Sequence, residues 1–212
     1  MAYSEVSLCN GALARMGQTR FIQALDEATT EAKLCNLFYP QCRDRLLRDY
    51  PWRWATRAFT LAMRNSEPDN PKWEYAYAYP SACIRVQSIL PNDDDIEDAR
   101  LYDELMHSSV VIPFEVQQTT DGISILTNKK NAVALCTRRV TDPMEFPTAF
   151  ADALQWRLAV ELALPLTGGK TGLRDNLMQY YLSAKSDAEA DDANEAVNIR
   201  PPFETDYLDV RS

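Results

Sequence analysis

A basic helical stretch that runs into Pro51-Trp52-Arg53-Trp54 constrains the fold of this chain most. Proline disfavours the α conformation at the residue before it, so the pattern predicts a helix that ends at Tyr50. The two tryptophans that follow offer large apolar faces to whatever packs above them. We therefore predict an anchored corner between two parts of the fold, with Pro51, Trp52 and Trp54 as structural anchors.

The composition favours a folded protein with a sizeable core. The chain has 212 residues, of which 46% are hydrophobic, and this suffices for one domain or two closely packed subdomains. No apolar run approaches the roughly 20 residues that a membrane helix requires, and residues 1–5 lack the pattern of a signal peptide. We expect synthesis in a cytoplasm and no membrane partner. The five cysteines are an odd number and mostly occupy periodic apolar segments, which predicts buried free thiols.

Charge is distributed unevenly along the chain, whose net charge is −9. Residues 186–212 contain eight acidic residues against two arginines, whereas residues 43–64 contain six arginines against two aspartates. The basic region therefore suits docking to an acidic surface, whereas the acidic region would repel such a surface. The alternative interpretation is that each charge cluster is only the solvated face of a helix, with no partner. The candidate partner or subunit contacts in the basic region are Arg43, Arg45, Arg48, Arg53 and Arg57.

Helical periodicity marks the first fifty residues. Ser4 is a candidate N-cap and Gly17 a candidate stop for a first helix, and a second helix is predicted from Thr29 or Thr30 to Tyr50. Pro40 lies inside the second helix and predicts a kink. The predicted buried faces consist of Val6, Cys9, Leu13 and Met16 in the first helix and Cys35, Phe38, Cys42, Leu46 and Tyr50 in the second.

Strand patterns replace helical ones between residues 59 and 140. Residues 73–79 alternate Trp73, Tyr75, Tyr77 and Tyr79 with other residues, which predicts a strand with four aromatic side chains on one covered face. Asp121-Gly122 is a candidate hairpin turn, and 65–71 and 92–98 are predicted loops. Together the strands predict one small antiparallel sheet. The further candidate strands are 83–90, 114–117, 123–127 and 132–140.

The last third returns to helical patterns. Pro147 suits the first position of a helix that Pro165 and Gly168-Gly169 end, and we expect this helix to lie at the centre of the core, with Trp156 as a further structural anchor. A second helix is predicted from about Gly172 to Glu195. Phe150, Leu154, Leu158 and Leu162 mark the first helix, and Leu173, Leu177, Tyr181, Ala184 and Ala188 mark the second.

The C-terminal residues 197–212 contain Pro201-Pro202 and lack helical periodicity, which predicts an extended arm. Its apolar residues Phe203, Tyr207 and Leu208 are candidate contacts with a neighbouring subunit or partner. Packing of the arm on its own domain is the equally weighted alternative.

These patterns together predict an α+β fold. The helices of residues 1–58 and 145–196 are expected to form an antiparallel bundle, with a β-rich subdomain of residues 59–144 inserted between them and an arm of residues 197–212.

Residue patterns typical of catalysis are scarce. His107 is the single histidine and no Cys-x-x-Cys pair exists, so the common zinc sites are not expected. Gly168-Gly169-Lys170-Thr171 lacks the first glycine of a phosphate-binding loop and follows a helix, so we predict a turn between helices. A carboxylate pair such as Asp152 with Glu161, or one within 93–104, remains a minor hydrolytic hypothesis. We predict no catalytic, cofactor-binding or metal-binding residue, and no enzyme activity.

Three segments follow one another in a characteristic order: Leu34–Tyr39 with Leu46–Ala55 to Ala62, then Tyr77–Val86, then Phe150–Ala159 to Gly168. In this order they resemble the tail tubular protein A family of head-to-tail adaptors in short-tailed bacteriophages, and more distantly the tail accessory factors. The resemblance implies a dodecameric ring that joins the portal protein to the tail nozzle (tubular protein B) in the virion and lets genomic double-stranded DNA pass without sequence-specific binding. The basic and acidic regions are then candidate complementary surfaces between neighbouring subunits.

Two other functions remain as alternatives. Some tail accessory factors are credited with peptidoglycan hydrolysis, although the chain offers no distinctive pair of acid and nucleophile for it. A DNA-binding regulator would need the arginines of 43–64 to form a phosphate-contacting face, which the pI of about 4.7 disfavours.

Overall fold

The computed structural model describes residues 3–65, 68, 70–91, 111–119, 121–169 and 171–195. Within these residues lie four α-helices and two three-stranded antiparallel sheets, so the predicted α+β class is confirmed. The helices are α1 (Glu5–Arg15), α2 (Thr30–Asp49), α3 (Thr148–Thr167) and α4 (Thr171–Asn194). The strands are β1 (Thr56–Thr60), β2 (Tyr75–Ala78), β3 (Cys83–Leu90), β4 (Phe114–Thr119), β5 (Gly122–Thr127) and β6 (Val133–Arg138).

Polar caps begin the two N-terminal helices where the sequence predicts them. The backbone N–H of Ser7 donates to Ser4 Oγ at 3.1 Å, and the N–H of Ser4 donates to Ser7 Oγ at 2.8 Å, which forms a capping box. The N–H of Ala32 donates to Thr29 Oγ1 at 3.3 Å and caps α2. α2 continues through Pro40 as one helix, and the kink there stays a prediction.

The ends of α3 differ by a few residues from the prediction. Pro147 occupies the N-cap position rather than the first helical position, and Pro165 lies inside the last turn instead of ending the helix. A proline there removes one amide hydrogen bond, while Gly168 supplies the left-handed conformation that ends α3, with φ of 66°. Gly169 also has a positive φ, and α4 begins at Thr171, so the predicted turn between helices is confirmed.

The main hydrophobic core surrounds α3, as expected. The side chains predicted on its core face, Phe150, Leu154, Leu158 and Leu162, are all buried at 0–1% exposure. Alanines at several of its other positions are buried too, because α1, α2 and α4 pack around it. This helix is apolar almost all round, as a helix at the centre of a bundle must be.

The strands form two sheets, so the prediction of a single sheet is wrong. The first sheet has the order β1-β6-β3 and the second β2-β5-β4, with the β4–β5 hairpin turning between Thr119 and Gly122 where Asp121-Gly122 was predicted. β1 was not predicted, because its residues alternate only weakly between half-buried and exposed positions.

The chain passes from one sheet to the other just after β1. The N–H of Leu61 donates to the carbonyl of Ala132 beside the first sheet, whereas Arg64 N–H donates to the carbonyl of Ala76 in the second. Apolar side chains of both sheets then share one core. This core includes Val86, Ile89 and Cys136 from the first sheet and Tyr77 and Ile125 from the second.

The aromatic side chains of residues 73–79 do not share one face. Tyr77 is buried between the sheets, and its hydroxyl donates to the carbonyl of Lys129 at 2.7 Å. Trp73 instead packs with Ala76 and Leu126 on the opposite face of the second sheet. The prediction fails at Trp73 because β2 begins only at Tyr75, so the two-residue alternation does not extend back to the tryptophan.

The remaining predictions fall partly outside the described residues. Among residues 65–71, those that the structure describes lie in no helix or strand. The acidic stretch 92–98, the histidine at 107 and the C-terminal arm 197–212 lie outside the described residues. The subdomain boundaries at 58 and 145 stay predictions.

Candidate interaction surface

The Pro-Trp-x-Trp corner packs the end of α2 against the start of α3. Trp52 is 1% exposed, and its Nε1–H donates to the carbonyl of Leu46 at 2.9 Å. Its ring meets Phe150 edge-on at 5.2 Å between centroids, and Trp54 meets the same phenylalanine at 4.9 Å. Edge-to-face aromatic pairs add to the energy of area burial. Pro51 itself is exposed and follows the end of the helix.

Trp156 joins three helices on the other side of α3. Its ring stacks on Tyr180 of α4 at 5.0 Å, and the Arg15 guanidinium of α1 lies 4.5 Å from its centroid. The same guanidinium donates to the carboxylate of Asp152 at 2.5 Å. The tryptophans of the sequence-predicted anchor set therefore contact residues on separate elements of the helical bundle.

A buried carboxylate from α4 holds the corner in place. Asp192 is 4% exposed, and its two carboxylate oxygens each accept from the backbone N–H of Arg53 at 3.0 Å. About two turns earlier on α4, Lys185 pairs with Asp49 at 3.3 Å. The acidic end of α4 thus lies against the end of α2 in the same subunit, and part of its charge serves the fold.

Replacement of Asp192 by alanine is expected to destabilise the protein by about 1–3 kcal/mol, because a partly buried N–H loses a charged acceptor. Urea unfolding of the variant measures this loss as a lower midpoint. Asp191→Ala is the matched control, because Asp191 is exposed, and it should stay within about 0.5 kcal/mol of the wild type. Equal effects of the two substitutions would contradict the role of Asp192.

The five candidate arginines do not form one surface. Arg43 is buried, with Nε donating to Asp44 at 2.9 Å and its guanidinium 6.0 Å from the Tyr39 ring, so we withdraw it as a candidate contact. Arg45 and Arg48 line a groove, whereas Arg53 and Arg57 are exposed outside it. The candidate contacts of the arm, Phe203, Tyr207 and Leu208, lie outside the described residues.

The groove lies between α2 and the two sheets and has a volume of about 710 Å³. Its rim carries Arg45 and Arg48 from α2 together with Arg85 and Arg139, and Asp44 is the one carboxylate among the described residues that line it. We call this site the arginine groove. Its apolar lining includes Ile84, Val86, Val116 and Ile123.

Hydrogen bonds across the arginine groove join α2 to the first sheet. Arg48 Nη1 donates to the carbonyl of Ile84 at 3.0 Å, and Arg85 Nη1 donates to the carbonyl of Arg48 at 3.3 Å. Arg139 lies 3.2 Å from Asp44 and is partly neutralised. Arg85 and Arg139 were not predicted, because they reach the groove only through the antiparallel pairing of the start of β3 with the end of β6.

Cys83 lies in the wall of the arginine groove and pairs with the thiol of Cys136. A hydrogen bond from the Cys136 thiol, a second one with the Tyr79 hydroxyl at 3.4 Å and the charge of Arg48 lower its pKa to about 7. The same contact and burial raise the pKa of Cys136, which is fully buried and stays protonated. The thiol beside the arginines is therefore the one that ionises.

We expect iodoacetamide to alkylate Cys83 before Cys9, Cys42 and Cys136, whose pKa values are raised, at pH 7.5, as measured by peptide mass mapping of the native protein. A thiolate is the nucleophile, and its fraction follows the pKa. Tyr79→Phe removes one hydrogen bond that favours the thiolate, so the midpoint of the rate against pH should move upward from about 7. First labelling of Cys42, whose pKa burial raises to about 12, would contradict this order.

Other candidate chemical groups are engaged in the fold. Asp152 pairs with Arg15, and Glu161 pairs with Arg157 at 2.5 Å, so each carboxylate of the proposed pair faces a guanidinium. The five cysteines are buried and free, as predicted. Within the part of the chain that the structure describes, no group of three or more metal-ligating side chains is found. The described helices include none that is long and apolar enough to cross a membrane.

No protein-family model matches the chain, and no curated protein matches it significantly.

Proposed function

We propose that this protein is a head-to-tail adaptor of a short-tailed bacteriophage. In this role it forms a dodecameric ring in the virion neck after synthesis in the host cytoplasm. The ring joins the portal protein to the tail nozzle, and genomic double-stranded DNA passes through its lumen without sequence-specific contacts.

The observation that carries the proposal is that the three segments of the resemblance meet in the folded chain. Trp52 of the first segment packs on Phe150 of the third at 5.2 Å. Arg48 of the first segment donates to the carbonyl of Ile84 in the second at 3.0 Å. The three segments are distant in sequence but contact one another in the folded chain. Segments that pack together support a fold shared with the adaptor family more than three isolated matches would.

The charge of the subunit is compatible with this role. Each phosphate that a protein neutralises adds to a salt-dependent hold on the duplex, so a channel for DNA should avoid dense cationic contacts. The net charge of −9 is compatible with passage of DNA. The arginine groove also has an apolar lining, which suits a protein segment better than a phosphate backbone.

Electron microscopy tests the proposal directly. The purified protein is mixed with the portal protein encoded with it and imaged in negative stain beside each component alone. We expect added density coaxial with the portal ring. A Trp52→Phe variant keeps an aromatic ring at the corner and is expected to fold. It is the control that shows whether a small change of the core by itself affects binding to the portal ring.

A portal ring that stays bare at low and at moderate salt would overturn the adaptor role. In that event clearing of purified peptidoglycan becomes the decisive assay, because a virion-associated hydrolase is the alternative that the same resemblance implies. Ring density together with peptidoglycan clearing would mean that both activities reside in this chain.

A further inference from the structure

We propose that the arginine groove holds the C-terminal segment of the same subunit, residues 200–212. The inference concerns an intramolecular contact, and it stands whether or not the protein is a phage adaptor. It rests on the charge and shape of the groove, the composition of the segment and the length of chain that joins them.

The arginine groove concentrates positive charge on an acidic protein. Arg45, Arg48 and Arg85 form no ion pair with any residue that the structure describes, although Arg48 and Arg85 donate to backbone carbonyls. Asp44, the carboxylate on the rim, is already engaged by Arg43 and Arg139. The rim therefore presents guanidinium groups that can pair bidentately with carboxylates.

The lining of the groove is apolar and open. Val116 is 46% exposed and Ile123 is 50% exposed, and the two lie on the adjacent strands β4 and β5, where Val116 pairs with Ile125, two residues from Ile123. Exposed apolar side chains framed by charged ones are typical of a protein-binding surface. An occupant that fits has alternating acidic and apolar side chains and little tendency to form a helix.

Residues 203–210 have that composition and contain no basic residue, while Arg200 and Arg211 flank them. Glu204, Asp206 and Asp209 are interleaved with apolar residues, and Pro201-Pro202 precede them. The apolar residues are Phe203, Tyr207, Leu208 and Val210. Three carboxylates match the three guanidinium groups that form no ion pair with a described residue, and aromatic and aliphatic side chains match an apolar lining.

The segment is close enough to reach the groove in its own subunit. Asp192 near the end of α4 accepts from the backbone of Arg53, and the five residues from Arg48 to Arg53 span at most about 18 Å. The eight residues from Glu195 to Phe203 can span up to about 29 Å when fully extended. A tethered segment also has a high effective concentration at a nearby site, which favours its own groove over that of a neighbour.

Hydrogen exchange measured by mass spectrometry on the full-length chain tests the proposal. We expect the amides of residues 203–208 to exchange at least about tenfold more slowly than those of an unstructured peptide of the same sequence. Arg45→Glu should bring this exchange to within about twofold of the free peptide, because it puts a carboxylate where the segment needs a cation. Arg20→Glu is the matched control, since Arg20 is an exposed arginine outside the groove.

Two further measurements keep the test specific. Combining Arg45→Glu with Glu204→Arg should restore part of the protection, which a variant that merely misfolds would not do. The neutral variant Arg45→Gln should give an intermediate exchange rate. Protection should also persist over roughly a hundredfold dilution, because an intramolecular contact is independent of concentration.

Four results would overturn the proposal. Residues 203–208 could exchange freely in the wild type, or their protection could survive Arg45→Glu. Loss of protection on dilution would assign the groove to the segment of another copy. In the fourth result, Arg45→Glu would speed amide exchange at Val116 and Ile123 but leave the exchange of residues 203–208 unchanged. This result would assign the groove to a different acidic stretch, such as residues 93–98.

Discussion

Replacement of Trp52 by alanine is expected to lower the free energy of unfolding by about 3–5 kcal/mol, the range for deleting a fully buried aromatic side chain. Trp52 is 1% exposed, contacts Tyr50 and Phe150 edge-on, and donates a hydrogen bond to the carbonyl of Leu46. The substitution opens a cavity where α2, α3 and the chain leading to β1 meet. Denaturant unfolding with linear extrapolation measures the loss.

Two variants separate the parts of this effect. Trp52→Phe keeps an apolar ring and removes the indole N–H, so it should cost less than the alanine variant because the ring still fills much of the cavity. Phe21→Ala removes a large apolar side chain that is 52% exposed, and it should cost much less than either. A Trp52→Ala variant as stable as Phe21→Ala would show that the corner does not anchor the bundle.

Raising the pH above 9 is expected to destabilise the protein through its buried thiols and phenols. Burial raises the pKa of Cys42 from 9.0 to about 12 and also raises the pKa values of Tyr39 and Tyr181. For a group whose pKa is higher in the folded chain, stability is fully present below the unfolded pKa and is lost as the pH rises through the folded pKa. Cys42 alone corresponds to a loss of about 4 kcal/mol between pH 9 and pH 12.

Urea unfolding at several pH values between 8 and 11, with a reductant present, measures this slope. Cys42→Ala should lose less stability than the wild type over the same range, because the variant lacks one group that must ionise. Cys83 acts in the opposite direction: its lowered pKa contributes stability that is present above pH 9 and lost as the pH falls through about 7. A free energy of unfolding that stays level from pH 8 to 11 would contradict the buried state of these groups.

Local patterns predicted the helices well because the forces that start, face and end a helix act within a few residues. The Ser4 and Thr29 caps lie three residues from the amides that they accept from, and the buried positions of α3 recur every four residues. The errors at the ends of α3 involve two prolines: Pro147 is the N-cap, and Pro165 stays inside the last turn although it removes one amide hydrogen bond. The free thiols followed from the odd count of cysteines and their apolar surroundings.

The candidate site was predictable only in part. The Trp52 and Trp54 corner follows from a proline and two large side chains that are neighbours in sequence. Arg45 and Arg48 were selected with Arg43, Arg53 and Arg57 from a local excess of charge, but charge density does not show which side chains are buried or what they face. Arg43 turned out to be buried, and Arg85 and Arg139 joined the groove from strands far along the chain.

The sequence by itself therefore determined the α+β class, the positions of the four helices, most strands and the anchoring corner, because these depend on side-chain period, caps and turns within short stretches. The tertiary structure decided the division of the strands into two sheets, the side on which Trp73 packs, the Asp192 cap on Arg53 and the arginine groove. Each of these depends on which distant segments pair and pack. The partners of the Asp192 cap are 139 residues apart, and no local pattern specifies such a contact.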